Sequence, residues 1–105
     1  MFMRILGNVH GMSLDTVRAE ITRVDTRIIR LIAERQNLAE QIARIKITRG
    51  LAIHDQDRTE KVLESVFDQA VESRIDPVSV QKIFEILIAM SEDRQRGFSG
   101  DGNLP

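Results

Sequence analysis

The chain has no cysteine, no tryptophan and no tyrosine, and only two prolines. Lacking cysteine, it can have no disulfide framework, thiolate nucleophile or sulfur metal ligand, which fits a reducing cytoplasm. Its two histidines, His10 and His54, show no ligand spacing, so no metal site is expected. Four phenylalanines are the whole aromatic complement, which suits helices with solvated outer faces better than a β-sandwich. Excess charge of one sign is also missing: 15 Lys and Arg stand against 16 Asp and Glu, for a net charge of -1. No basic field exists to draw in nucleic acid or an anionic membrane surface. Nor does any stretch approach the roughly 18 consecutive apolar residues that span a bilayer, and the opening segment is too short in apolar length for a secretory signal.

What is present is a long heptad seam. Leu14, Val17, Ile21, Val24, Ile28, Leu31, Leu38, Ile42 and Ile45 follow a 3,4 rhythm, with neither proline nor glycine between Ser13 and Arg49. Ser13 as N-cap, Asp15 in the first turn and Gly50 as the stop predict one helix of nearly five heptads. Such a rod is about 50 Å long, whereas a compact chain of this size is about 35 Å across. The overhanging seam therefore predicts a homodimer with the long helices packed together. A second helix is expected from Asp57 to about Glu72, with Glu60 completing a capping-box-like start and Asp55 as the alternative cap. Its buried face is Val62, Val66, Phe67, Ala70 and Val71. Asp76 and Pro77 open a third helix, to about Arg96, with Val80, Ile83, Phe84, Leu87, Ile88 and Met90 on its core side. The fold class is all-α, with residues 13–96 as the domain, 1–12 as an N-terminal extension and 97–105 as a flexible tail.

Arg35 interrupts the seam. A guanidinium at an inward slot costs several kcal/mol unless an anion meets it. The sequence allows two solutions: an ion pair with Glu34, Glu40 or Asp55, or an anionic ligand. Lys46 lies eleven residues on and so shares its face about 16 Å away, and together the two can grip opposite ends of a small molecule. Arg18 flanks the same seam but is too distant to join Lys46 in one chain, and a site at a subunit interface brings it in. Arg18 and Lys46 also suit ordinary helix edges, whose stems cover the core while their heads reach water. Ser91 and Gln95 share a face of the third helix, and Asp55, Arg58 and Thr59 cluster at the start of the second. No nucleophile and base pair can be assembled from these residues. They are donors and cations suited to a dianion.

In that order, Arg18, Ala33-Glu34-Arg35, Lys46, Asp55-Gln56-Asp57-Arg58, Ser91 and Gln95 resemble the all-helical chorismate mutases over roughly Ser13 to Arg96. That resemblance implies an intertwined three-helix homodimer that converts chorismate to prephenate, on the route to phenylalanine and tyrosine, by a Claisen rearrangement without a cofactor. It also implies that Arg35, with Arg18 from the other subunit, holds the substrate carboxylates, supported by Arg58 and Ser91. Lys46 and Gln95 would donate to the ether oxygen, and Asp55 would contact the ring hydroxyl region. Thr59 stands where the family commonly has a glutamate, which implies a weaker hold on that hydroxyl. An isochorismate–pyruvate lyase on the same fold is the neighbouring alternative, and a non-catalytic helical dimerisation module is the alternative from another class.

Overall fold

The computed structural model of the chain describes residues 13–98, which form three helices: α1, Leu14–Arg49; α2, Gln56–Glu72; and α3, Pro77–Phe98. There is no strand among the described residues, and no helix there is long and apolar enough to cross a membrane. The expected extension over 1–12, and residues 99–105 of the expected tail, lie outside the described residues.

The helix boundaries follow from local chemistry. Ser13 Oγ accepts the backbone N–H of Thr16 at 3.1 Å, the expected cap of α1. At the other end Gly50 has φ of 65°; its N–H donates to Ile47 O at 3.3 Å and that of Leu51 to Lys46 O at 2.8 Å. This pair of bonds is a Schellman motif. Asp55, rather than Asp57, caps α2: its Oδ1 accepts the N–H of Arg58 at 3.1 Å. The helix thus starts a residue before Asp57, and no capping box with Glu60 forms. Asp76 caps α3 as expected, accepting the Ser79 N–H at 3.1 Å and the Ser79 hydroxyl. Those bonds favour the ionised carboxylate and hold Asp76 below its ordinary pKa.

The described residues divide into two units, after Ala33. In the first, the early turns of α1 leave Leu14, Val17, Ile21, Val24, Ile28 and Leu31 exposed, the seam read from the sequence. Thr22 and Thr26 donate their hydroxyls to the carbonyls of Arg18 and Thr22, so their polarity is satisfied within the helix. In the second unit, α2 and α3 pack as an antiparallel-type neighbouring pair joined by a short turn. Its most buried residues are Ala39, Ala43, Val66, Ala70 and Gln95. The seam residues Leu38, Ile42 and Ile45 stay exposed there, and the buried stripe of α1 is one step round, on small side chains. Phe67, Val71 and Ile83, expected in the core, are exposed as well. α3 runs two residues past its expected end because Gly97 continues the helix and Phe98 lies under Arg44, whose guanidinium carbon is 4.8 Å from the ring centre.

The C-terminus of α2 repeats the Schellman pattern with a different residue. Arg74 donates to Val71 O at 3.1 Å, Ile75 to Ala70 O at 3.1 Å, and Arg74 takes φ of 59°. A side chain in that region costs about 1 kcal/mol that glycine avoids. Arg74→Gly is expected to raise the thermal midpoint by about 4 °C, and Gly50→Ala, at the matching position of α1, to lower it by a similar amount. Circular dichroism melts of the two variants check this; a lower midpoint for Arg74→Gly would contradict it.

Candidate functional site

Within the second unit, a cleft of about 490 Å³ opens between the later turns of α1, the start of α2 and the last turns of α3. Helical spacing sets its walls. Arg35, Ala39, Ile42 and Lys46 recur at three- and four-residue steps along α1, Thr59 and Val62 along α2, and Ile88, Ser91 and Gln95 along α3. Ile53 and Asp55 close one end from the loop after α1.

Seven of the eight residues singled out from the sequence line this one cleft: Arg35, Lys46, Asp55, Arg58, Thr59, Ser91 and Gln95. Arg18 belongs to the first unit, is exposed there, and is not among the lining residues.

Polar contacts fix several of these groups. The Lys46 ammonium donates to Gln95 Oε1 at 2.9 Å and to the carbonyl of Ile53. Gln95 Nε2 in turn donates to Ser91 Oγ at 3.1 Å. Gln95 is only 4% exposed, so its amide orientation is set by these partners and not by water. An ammonium has three donors and an amide nitrogen two, so these bonds use two of the three Lys46 donors and one of the two Gln95 donors. Asp55 spends one oxygen capping α2, which anchors the helix turn that carries Arg58.

Arg35 resolves the alternative left open by its place in the seam. It donates to the carbonyl of Leu87 at 2.9 Å. Among the described residues no carboxylate forms an ion pair with it; Glu40 instead pairs with Arg94 at 3.2 Å. Burial lowers the Arg35 pKa, and the neighbouring positive charge of Arg58 lowers it further. Two guanidinium groups therefore face one cleft and repel each other, an arrangement that an anionic ligand relieves.

Sequence reasoning missed other lining features. The carbonyls of Ile53 and Leu87 carry no side-chain signal. Glu92 lies beside Ser91 yet also lines the cleft, and His54, which has no ligand pattern, binds Glu92 Oε2 through Nδ1 at 2.9 Å. Among the described residues there is no group of acidic, histidine or cysteine side chains arranged to hold a metal ion.

Comparison with known proteins finds that residues 17–96 match the family model described as chorismate mutase type II. A chorismate mutase of Methanocaldococcus jannaschii is 33% identical over 85 residues, covering 81% of this chain and 86% of that protein. A bifunctional chorismate mutase/prephenate dehydratase of Buchnera aphidicola is 32% identical over 84 residues, 80% of this chain but 22% of its relative. The corresponding bifunctional protein of Aquifex aeolicus is 40% identical over 53 residues, 50% of this chain and 15% of that protein. The chain thus spans most of the first relative and under a quarter of the bifunctional ones.

The uncompensated cations give a prediction that needs no turnover. A small dicarboxylate such as malonate, at about ten times its Kd, is expected to stabilise the protein by about 1.4 kcal/mol, read as a higher thermal midpoint. Arg35→Met is expected to melt no lower than the unaltered protein, since it removes a repelled and partly desolvated charge, and to lose the response to malonate. An undiminished response in Arg35→Met would place the anion elsewhere.

Proposed function

The chain belongs to the chorismate mutase type II family and is a chorismate mutase, an isomerase; we propose that it rearranges chorismate to prephenate in the cleft between α1, α2 and α3. The observation that carries the assignment of the site is that Arg35, Lys46, Arg58, Ser91 and Gln95 converge on one cavity in which, among the described residues, no carboxylate pairs with Arg35.

Chorismate carries two carboxylates and an ether oxygen between its ring and its enolpyruvyl arm. Arg35 holds one carboxylate and Arg18 of the partner subunit the other, with Arg58 and Ser91 in support. Holding both ends folds the arm over the ring, so part of the entropy of reaching the reactive conformer is lost on binding and not in the chemical step. As the C–O bond breaks, negative charge builds on the ether oxygen. The remaining N–H groups of Lys46 and Gln95 donate to it. Both donors are already fixed, Lys46 by Ile53 and Gln95 by Ser91, so they stabilise the developing charge without reorganising. Asp55 and Thr59 face the ring hydroxyl region, and Thr59 gives the weaker hold expected of a neutral hydroxyl. The rearrangement is intramolecular and needs no general base and no cofactor.

A homodimer completes the site. The exposed seam of α1, with Leu14, Ile21, Ile28 and Leu31 in the first unit and Leu38, Ile42 and Ile45 in the second, is too large an apolar stripe to stay in water. A second copy of α1 fits it, because the repeat is that of a helix partner. The cysteine-free composition suits a cytoplasmic location.

Loss of a donor that acts on the transition state costs about a hundredfold or more in turnover. Lys46→Ala and Gln95→Ala are each expected to lower kcat/KM for chorismate by at least that factor, measured by disappearance of chorismate and appearance of prephenate. Unchanged rates in both would remove them from these roles. Arg18→Ala and Arg35→Ala proteins, each inactive alone, are expected to regain activity when mixed and allowed to exchange subunits. No recovery despite demonstrated exchange would count against a shared site.

A further inference from the structure

At the rim of the cleft, His54 is held between the loop after α1, the start of α2 and α3. Its Nδ1 lies 2.9 Å from Glu92 Oε2 and its Nε2 3.0 Å from Gln56 Oε1. Both ring nitrogens face oxygen atoms, and an imidazole ring donates from both only as the imidazolium. Glu92 is the more enclosed partner, with a side chain 17% exposed against 54% for His54. Its second oxygen is 3.5 Å from Arg96 Nη2. Glu92 is also part of the cleft lining. There it shares the lining with Arg35, Lys46 and Arg58, and a carboxylate in that wall, offset by Arg96 only through a long 3.5 Å contact, weakens the field that attracts a dianion.

On the assignment of this cleft to chorismate, we propose that His54 is a positioning residue for substrate binding: it draws the Glu92 carboxylate to the rim, neutralises it there, and so keeps it from repelling the substrate. The position of His54 in the chain suits the task. It follows Ile53, whose carbonyl takes the Lys46 ammonium, and precedes Asp55, which caps α2. One short loop thereby fixes the cation that faces the reacting oxygen and the group that offsets the opposing charge.

The remaining charged groups around His54 are Arg96 from α3, Asp55 and Asp57 at the start of α2, and Lys46 from α1. The hydrogen bond to Glu92, then that to Gln56, then the Glu92 charge raise the pKa of His54 above its ordinary value, while burial and Arg96 act the other way. The benefit to binding is therefore complete on the acid side. It is lost as pH rises through that raised value, because the imidazolium discharges.

The test is the dependence of KM and kcat for chorismate on pH, from about pH 6 to 9, across the histidine range. In the unaltered enzyme KM is expected to rise about threefold to tenfold, the effect of one partly screened charge near the substrate, with its midpoint above the ordinary histidine value and kcat steady. His54→Asn keeps a donor near the Nδ1 position but never carries charge, and should show the high KM at every pH. Adding Glu92→Gln to it should return KM to the low value, again without pH dependence. In an NMR titration, Glu92→Gln alone should lower the midpoint of His54. A KM slope that survives in His54→Asn, or a His54 midpoint unmoved by Glu92→Gln, overturns the inference. So does a His54→Asn variant whose only defect is the same loss of kcat at every pH. Turnover with a flat KM in the unaltered enzyme sinks this inference alone; no prephenate at any pH sinks the assignment of the cleft and this inference with it.

Discussion

Repulsion between Arg35 and Arg58 is the constraint around which the second unit is arranged. Two guanidinium groups in one partly dry cleft raise the free energy of the ligand-free protein, and among the described residues Arg35 finds the carbonyl of Leu87 and no carboxylate. A sequence selected for stability alone would place a carboxylate there or an aliphatic side chain to continue the seam. Glu40 is available on the same helix and is committed elsewhere, to Arg94. On the proposed reading, a dianion in the cleft would relieve this repulsion.

The second organising contact is the Lys46 ammonium, which ties the loop carbonyl of Ile53 to the amide of Gln95. Through it, the end of α1 and the last turns of α3 are tied together at the cleft. Gln95 is among the most buried residues described, yet each of its polar groups has a partner, so the cleft has rigid donors rather than mobile ones. The same rigidity suits the proposed electrostatic mechanism: donors that need not move lose little to reorganisation when charge appears.

Much of this was legible in the sequence, for identifiable reasons. The caps at Ser13 and Asp76, the stop at Gly50 and the interruption at Arg35 all depend on residue type at a fixed spacing. Helical periodicity put Arg35 with Lys46 and Ser91 with Gln95, Asp55, Arg58 and Thr59 stood out as a polar cluster at the start of α2, and the resemblance to a known family joined them as one site. What stayed hidden depends on partners that no side-chain alphabet records. Arg74 holds a left-handed position that glycine normally announces. The seam pointed to the apolar stripe of α1, while the stripe buried within the chain consists of Ala39 and Ala43, too small to stand out as core. Glu92 and His54 were passed over because an acid next to a serine and a solitary histidine have no pattern until the loop and α3 are side by side.

The double duty of Lys46 sets a limit on how this loop can vary. Its carbonyl accepts the N–H of Leu51 in the terminal motif of α1, while its ammonium donates to the carbonyl of Ile53 two residues further on. One residue inserted between Lys46 and Gly50 would prolong the helix, turn the departing chain by about 100° and advance it about 1.5 Å, taking the Ile53 carbonyl out of reach. Loop length between residues 46 and 55 is therefore coupled to the position of the Lys46 ammonium even where side chains are free to change, and grafts or deletions there alter the cleft and not merely a connector.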